Sequence, residues 1–542
     1  MKNLNLCKTL SFCFILLLFA ENSFSQYIDF SEKSVIKQNQ IIPEFEFLSS
    51  DWFEGREIGQ KGNDMAADYL ASIFMQIGLS KVDLVKFPEM DKNYQEERDN
   101  NNFFQSVPIL RYSLSENDPL SVITEINNSK SQANFKYKEE YRFLEKSSAN
   151  IEIDAPVVFA GYGISNNKNA YNDYKGIDVK GKIVFILSGF PGYKDTNSIA
   201  FKSNNIKNIM EFEKDKVKTA KEKGAIAVLW LRNNPEDWLV PNNIYRFNNE
   251  EYEGDTKRVI SEYELVEDNI LNNHIPVIYI STNIANELCK CTNTNIADFE
   301  NLVSNNLKPA SGILKGKSIH FKISTKKEMI KSNNIIAYIP GEISNEYVVV
   351  GAHYDHIGKN NGNIYNGADD NASGVIAVLS IARAFIAKGV QPKRSVIFAL
   401  WTGEENGLLG SKFFMNNWGT NKIDSYFNFD MISRYSEYDT TNHLEIAYND
   451  SLEKVVKTID QINKNEKFKL KINYLQQAEV DEEDTDYFYF ANKNIPFYGF
   501  HTGLHADYHK FADHSDKANY EALTKIINLG FLTIWQETND ME

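Results

Sequence analysis

The stretch that decides the fold runs from Tyr347 to Arg434. It opens as YVVVGAHYDHIG (347–358) and passes through NGADDNASGVIAVLSIARAF (366–385) and SVIFALWTGEENGLLGSKFF (395–414). It closes at FNFDMISR (427–434). Val348 to Val350 and Val396 to Trp401 are short apolar runs rich in β-branched and aromatic residues, and such runs read as buried strands. Between them, Ala372 to Lys388 carries Val375, Val378, Leu379 and Ala382 on one helical face. Leu408 to Trp418 reads as a second helix and SYFNFDM (425–431) as a third strand. Strands alternating with helices predict an α/β fold, a mostly parallel mixed sheet sandwiched by helices. His353, Asp355, Asp370, Glu404, Glu405 and Asp430 each lie at or just beyond the end of an apolar run. An open α/β sheet places its functional groups there.

Outward from this stretch, 542 residues predict two or three domains. Upstream, Ala66, Ala67, Leu70, Ile73, Phe74 and Ile77 recur at helical spacing, with Gly78 to end that helix. Glu54-Gly55-Arg56 and Gly59 mark a loop before it, and the polar run 88–102 reads as an exposed loop. APVVFAGYGIS (155–165), GKIVFILSGFPG (181–192), AIAVLWL (225–231) and IPVIYIS (275–281) are strands bounded by glycine or proline. Residues 146–310 therefore read as an inserted β-rich module, with 26–145 and 311–542 forming the other domain. Downstream, an amphipathic helix over 450–463 opens on an Asp-Ser cap. IPFYGF (495–500) is a late strand, and 516–537 closes the chain as a helix.

The formal net charge is -16 and the pI near 5.2, which argues against nucleic acid or an anionic membrane as the main partner. At the N-terminus, Lys2 and Lys8 precede the apolar run LSFCFILLLFA (10–20). That run is too short to span a bilayer and reads as a signal peptide cut after Ser25. The protein is expected to be exported, to a periplasm or beyond the cell, with no membrane span in the mature chain. Only Cys289 and Cys291 remain after that cut, one residue apart. A disulfide between them would be strained, so the fold is not expected to rest on disulfides.

Five residues have metal-ligand chemistry: His353, Asp370, Glu405, Asp430 and His509. Two imidazoles and three carboxylates suit a divalent metal such as zinc. Five protein ligands are too many for one tetrahedral ion with an open position, but they fit two ions sharing one carboxylate. His353 and Asp355 stand two apart at a strand end, so both side chains point to one side. Asp355 is expected to hold the second ring nitrogen of His353. Glu404 and Glu405 point in different directions, which lets one ligate while the other takes a proton from a metal-activated water. Taken alone, the pair would read as acidic residues favoured at a helix N-terminus.

GAHYDHIG, NGADDNASG, WTGEENGLLGS, FNFDM and HTGLHADYHKFADHSDK together resemble the co-catalytic zinc aminopeptidases of metallopeptidase family 28. Their clan also holds glutamate carboxypeptidase and transferrin-receptor-like proteins. EGREIGQKG and AADYLASIF are similar to that family's first loop and helix. VVFAGYGIS, YNDYKGIDVKGKIVFIL and EKGAIAVLWL resemble its inserted protease-associated domain. The resemblance implies two Zn(2+) per chain bridged by Asp370. His353 and Asp430 complete one ion, and Glu405 and His509 the other. Glu404 is the implied general base, and Asp355 the residue that orients His353. Asp370-Asn371 is an implied non-proline cis peptide. Asp369 and His505 neighbour the implied ligands; the motif favours Asp370 and His509, which leaves His505 to line the substrate pocket. The chain departs from the family in carrying Thr485-Asp486-Tyr487 where many members have Ser-Asp-His.

The resulting expectation is a secreted zinc exopeptidase acting on peptides with a free N-terminus. A carboxypeptidase or dipeptidase of the same clan would need a basic group for a terminal carboxylate, and Arg434 is the nearest candidate. A glutaminyl cyclase would use one metal. A receptor-like protein that had lost catalysis would have lost ligands.

Overall fold

The computed structural model describes residues 36–81, 103–114, 119–137, 139–143, 151–166, 171–194, 197–203, 209–231, 261–266, 275–360, 362–436, 442–449, 453–476 and 485–540. The signal peptide, the polar run 88–102 and the Asp-Ser cap at 450–451 lie outside these residues.

Four strands at the centre of the first sheet run parallel: Arg394–Trp401, Ile343–His353, Lys422–Phe429 and Phe497–His501. On one side the sheet continues antiparallel through Thr325–Ile339, Phe104–Leu114 and Ser261–Leu265. On the other side His443–Tyr448 pairs antiparallel with Phe497–His501, and Lys471–Gln476 follows it in parallel. Helices cover both faces, as the α/β pattern predicts. Gly374–Lys388, Lys61–Ile77 and Tyr520–Asn539 pack on one face around Val350, Phe398 and Phe427. Leu409–Asn417 and Phe488–Ala491 cover the other around Trp401 and Tyr426. Gly78 is the left-handed C-cap of Lys61–Ile77. Ala368–Lys388 is long and apolar enough to cross a membrane, yet 83% of its apolar window is buried in the protein. It is the central helix of this core.

The second sheet holds eight strands in its own core. It is wider than the 146–310 read from sequence. Its strands extend from Leu120–Ile126 to Gly312–Ile323, and within that span Ser261–Leu265 belongs to the first sheet. Sheet membership is decided by which backbone a strand pairs with, and strand composition does not reveal that partner. Cys289 and Cys291 are both free thiols.

The loop at Glu54-Gly55-Arg56 locks the N-terminal segment onto the first sheet. Arg56 is fully buried and donates to four carbonyls: Tyr354 O (2.7 Å), Leu48 O (3.0 Å), Asn366 O (2.6 Å) and Gly367 O (2.9 Å). Burial lowers its pKa to about 10, against the opposing charges of Asp370, Asp355 and Asp513. It therefore stays charged at neutral pH. Gly55 has φ 74°, and a Cβ there would lie 2.4 Å from Gly358 O, so only glycine allows the loop to approach this closely. Arg56→Met would leave four carbonyls facing an apolar chain. The expected loss is about 3–5 kcal/mol of stability, measured by urea unfolding; a loss under about 1 kcal/mol would contradict this account.

Candidate metal centre

The parallel strands deliver the site. His353 ends its strand, Glu404 and Glu405 follow Trp401 in the next, and Asp430 follows Phe429 on the other side. Because these strands share one direction, their C-terminal ends converge on one edge. Asp370 comes from the turn before Gly374–Lys388, and His509 from the segment after Phe497–His501.

The two oxygens of Asp370 face different imidazoles. Oδ1 lies 3.4 Å from His353 Nε2, and Oδ2 lies 3.0 Å from His509 Nε2. Beyond His353 Nε2, Asp430 Oδ1 stands at 3.4 Å; beyond His509 Nε2, Glu405 Oε2 stands at 3.4 Å. All five predicted ligands thus gather, in two triplets that meet at Asp370. Around a tetrahedral ion with ligands about 2.0–2.1 Å away, donor atoms stand about 3.3–3.4 Å apart, so the observed spacings fit such ions. Asp430 Oδ1 is buried without a hydrogen bond, as a waiting ligand would be. Donor atoms of His353, Asp370 and Glu405 lie within 4.8 Å of one another, as do those of His353, Glu404 and Asp430. Glu404 Oε2 is 3.8 Å from His353 Nε2, beside the first triplet.

The electrostatics point the same way. Burial opposes a charge on His353, but Glu404, Asp430 and Asp370 outweigh it and hold the imidazole well above its usual pKa. Burial and Glu405 push Asp370 up, while His356 and His509 prevail and keep it below the usual carboxylate range. So much buried negative charge calls for cations at its centre.

Asp355 does not act as expected. The ring Nδ1 of His353 meets the Asp355 backbone carbonyl at 3.2 Å, while the carboxylate is 3.9 Å away. That carboxylate instead accepts from the backbone N–H groups of Glu404 (3.1 Å) and Glu405 (3.3 Å). Two aligned amides are better partners for a buried anion than a ring already held by a carbonyl. Burial still pushes Asp355 up to about 6. The Glu404-Glu405 pair therefore lies in a turn held by Asp355, four residues before helix Leu409–Asn417 begins.

His356 was missed by the sequence reading. Its Nδ1 lies 2.7 Å from Glu405 Oε1, so it holds that carboxylate with Oε2 turned towards His509. Its position three residues after His353 in HYDH was the available signal. His505 was expected to line the substrate pocket; instead its Nε2 reaches Asp369 Oδ2 at 3.2 Å behind the site. Asp369 also accepts from Ser433 N and Oγ, both at 2.7 Å. Asp513 receives the backbone N–H groups of Asp369 and Asp370 at 3.1 Å. Asn371 donates to Phe429 O at 2.9 Å and accepts from Gly374 N at 2.9 Å, tying the helix start to the strand end. The Asp370-Asn371 peptide is cis.

A cavity of about 250 Å³ opens beside His353, Asp370, Glu404 and Asp430. Tyr487 forms part of its wall and stacks on Phe497 at 4.3 Å. Arg434 is not among its lining residues; it pairs with Asp507 at 2.7 Å.

Residues 334–532 match the Peptidase family M28 model, and 153–288 match the PA domain model. Residues 334–532 thus carry the likeness to peptidase family M28. The chain is 35% identical over 187 residues to leupeptin-inactivating enzyme 1 of Streptomyces exfoliatus, covering 34% of this chain and 38% of that protein. It is 28% identical over 232 residues to aminopeptidase Y of Saccharomyces cerevisiae, covering 39% and 40%. The matches thus span about two fifths of these relatives' own length. The aminopeptidase from Aneurinibacillus sp. strain AM-1 superposes with a TM-score of 0.56 at 18% identity, over 94% of this chain and 95% of that one. This likeness extends the shared fold across both sheets.

If His356 orients Glu405, His356→Ala should weaken metal binding about 10- to 100-fold. Metal retained after dialysis against a graded chelator reads this directly, and unchanged retention would remove His356 from the centre.

Proposed function

We propose that this chain is an exported zinc aminopeptidase of family M28 that releases N-terminal residues from peptides. The observation that carries the reading is the division of Asp370 between His353 and His509. In this reading His353, Asp430 and Asp370 would hold one ion, and Glu405, His509 and Asp370 the other. Two bound divalent ions supply Lewis-acid polarisation of the scissile carbonyl and acidify a water.

The chain's own residues do the rest. Glu404 lines the cavity with Oε2 3.8 Å from His353 Nε2, beside the two triplets that meet at Asp370, which suits it to take the water proton and pass it to the leaving amine. Asp355 positions Glu404 through its backbone N–H, so it is a positioning residue. Asp513 and Asn371 set the turn that presents Asp370. Acidic groups around the centre favour a free substrate ammonium.

The carboxypeptidase reading gains no support from the cavity. Among the described residues that line it, none is Lys or Arg, so a terminal carboxylate would meet no fixed cation there. Export rests on the sequence of the first 25 residues and is tested by fractionating cells that express the full chain.

Glu404→Gln should lower kcat on an aminoacyl anilide about 10²- to 10⁴-fold while elemental analysis still finds two zinc ions per chain. Asp370→Asn should lose metal as well as activity. Retained wild-type activity in excess chelator, or release of residues from the C-terminus only, would overturn the proposal.

A further inference from the structure

The cavity beside the metal centre is built from two adjacent rows across the edge of the first sheet. In the lower row, Asn428 pairs with Gly499, Gly499 with Ala447, and Ala447 with Leu475. All four line the cavity. The two middle positions have almost no side chain, and the ring of Tyr487 fills the space above Gly499. A Cβ on Gly499 would lie 2.6 Å from that ring, so Tyr487 itself forms the floor there. The floor is apolar from Gly499 to Leu475.

The upper row changes character. His501 pairs with Glu445 across the same two strands, and both line the cavity. Among the described residues that line the cavity, Glu445 is the one carboxylate that belongs to none of the groups at the metal centre. It is held in place: His443, two residues earlier on the same strand face, has Nε2 at 3.1 Å from Glu445 Oε1. Its side chain is 29% exposed, so it meets the cavity from a partly desolvated position. Among the described residues that line the cavity, none is lysine or arginine.

Distance decides what this carboxylate can meet. The strand of Asp430 and the strand of Glu445 are separated by one strand, Phe497–His501, which sets them about 10 Å apart. A substrate ammonium lies next to the reacting carbonyl, one Cα away, and so belongs to the metal end. An extended lysine or arginine side chain reaches about 6–7 Å beyond its Cα, which spans the apolar floor and brings its cation to the far wall. The methylene stem would lie along the ring of Tyr487, which lines the cavity, as long cationic side chains lie on apolar surface.

We propose that Glu445 selects substrates whose N-terminal residue has a long side chain ending in a cation, namely arginine or lysine. This rests on the aminopeptidase reading of the centre. Glu445 is a specificity residue and has no part in bond cleavage. Glutamine at this position keeps the shape and the acceptor for His443 while removing the charge; leucine removes both.

The test is a panel of Arg, Lys, Leu and Met anilides, assayed with the zinc-loaded wild type, Glu445→Gln and Glu445→Leu. Melting temperature and zinc content serve as controls for folding. The expected result is a fall of about 10- to 100-fold in kcat/KM for Arg and Lys, carried by KM, with Leu and Met within about threefold of wild type. An equal fall on all four substrates, or an Arg-to-Leu ratio that neither variant moves, overturns the inference and leaves the aminopeptidase reading intact. A wild type that hydrolyses none of the four overturns that reading and this inference with it.

Discussion

Asp370 has one carboxylate and two imidazoles to face, and the molecule is arranged around that demand. A buried carboxylate between two histidines can be satisfied on both oxygens only if its backbone is held still. Three separate side chains do this. Asp513 takes the amides of residues 369 and 370, Asn371 binds the end of the neighbouring strand, and Arg56 holds the carbonyl of Gly367. Each comes from a different part of the chain, so the N-terminal loop, the central helix and the C-terminal segment all converge on one turn. Because buried polar groups cost most when left half-satisfied, such a network is either complete or strongly destabilising.

The parallel arrangement of four strands turns that local demand into a site. Parallel strands end together, and each leads to functional residues at the same edge without any strand having to bend. The antiparallel strands beyond Phe497–His501 have the opposite effect. Ala447 on the first of them faces Gly499 of Phe497–His501, and these small residues make room for the Tyr487 ring that lines the cavity. Metal centre and cavity are thus products of the same sheet: strand ends make the first and side-chain volumes make the second.

Much of this was legible in the sequence, and for definite reasons. Apolar runs ending in His353, Trp401 and Phe429 are strands because β-branched and aromatic residues bury well there, and the helix after Ala372 declares itself by spacing. The five candidate ligands could be picked out because few other roles place so many imidazoles and carboxylates at strand ends. The role of Asp355 was misread because strand alternation gives a direction but not a partner. Two backbone amides of the next strand's loop compete for that carboxylate, and they are 49 and 50 residues away. His356 and His505 were hidden for the same reason, since their partners Glu405 and Asp369 are also far off along the chain.

The sequence by itself determined the strand and helix pattern, the set of candidate ligands and the presence of a β-rich insertion. These depend on side-chain chemistry and on periodicity, which are local properties. Tertiary structure alone decided where the insertion begins and ends, which oxygen of Asp370 faces which imidazole, and that Glu445 and His501 stand side by side in the cavity wall. Those are matters of strand pairing and of approach between distant segments. Their free energy lies in contacts between residues that no local window contains.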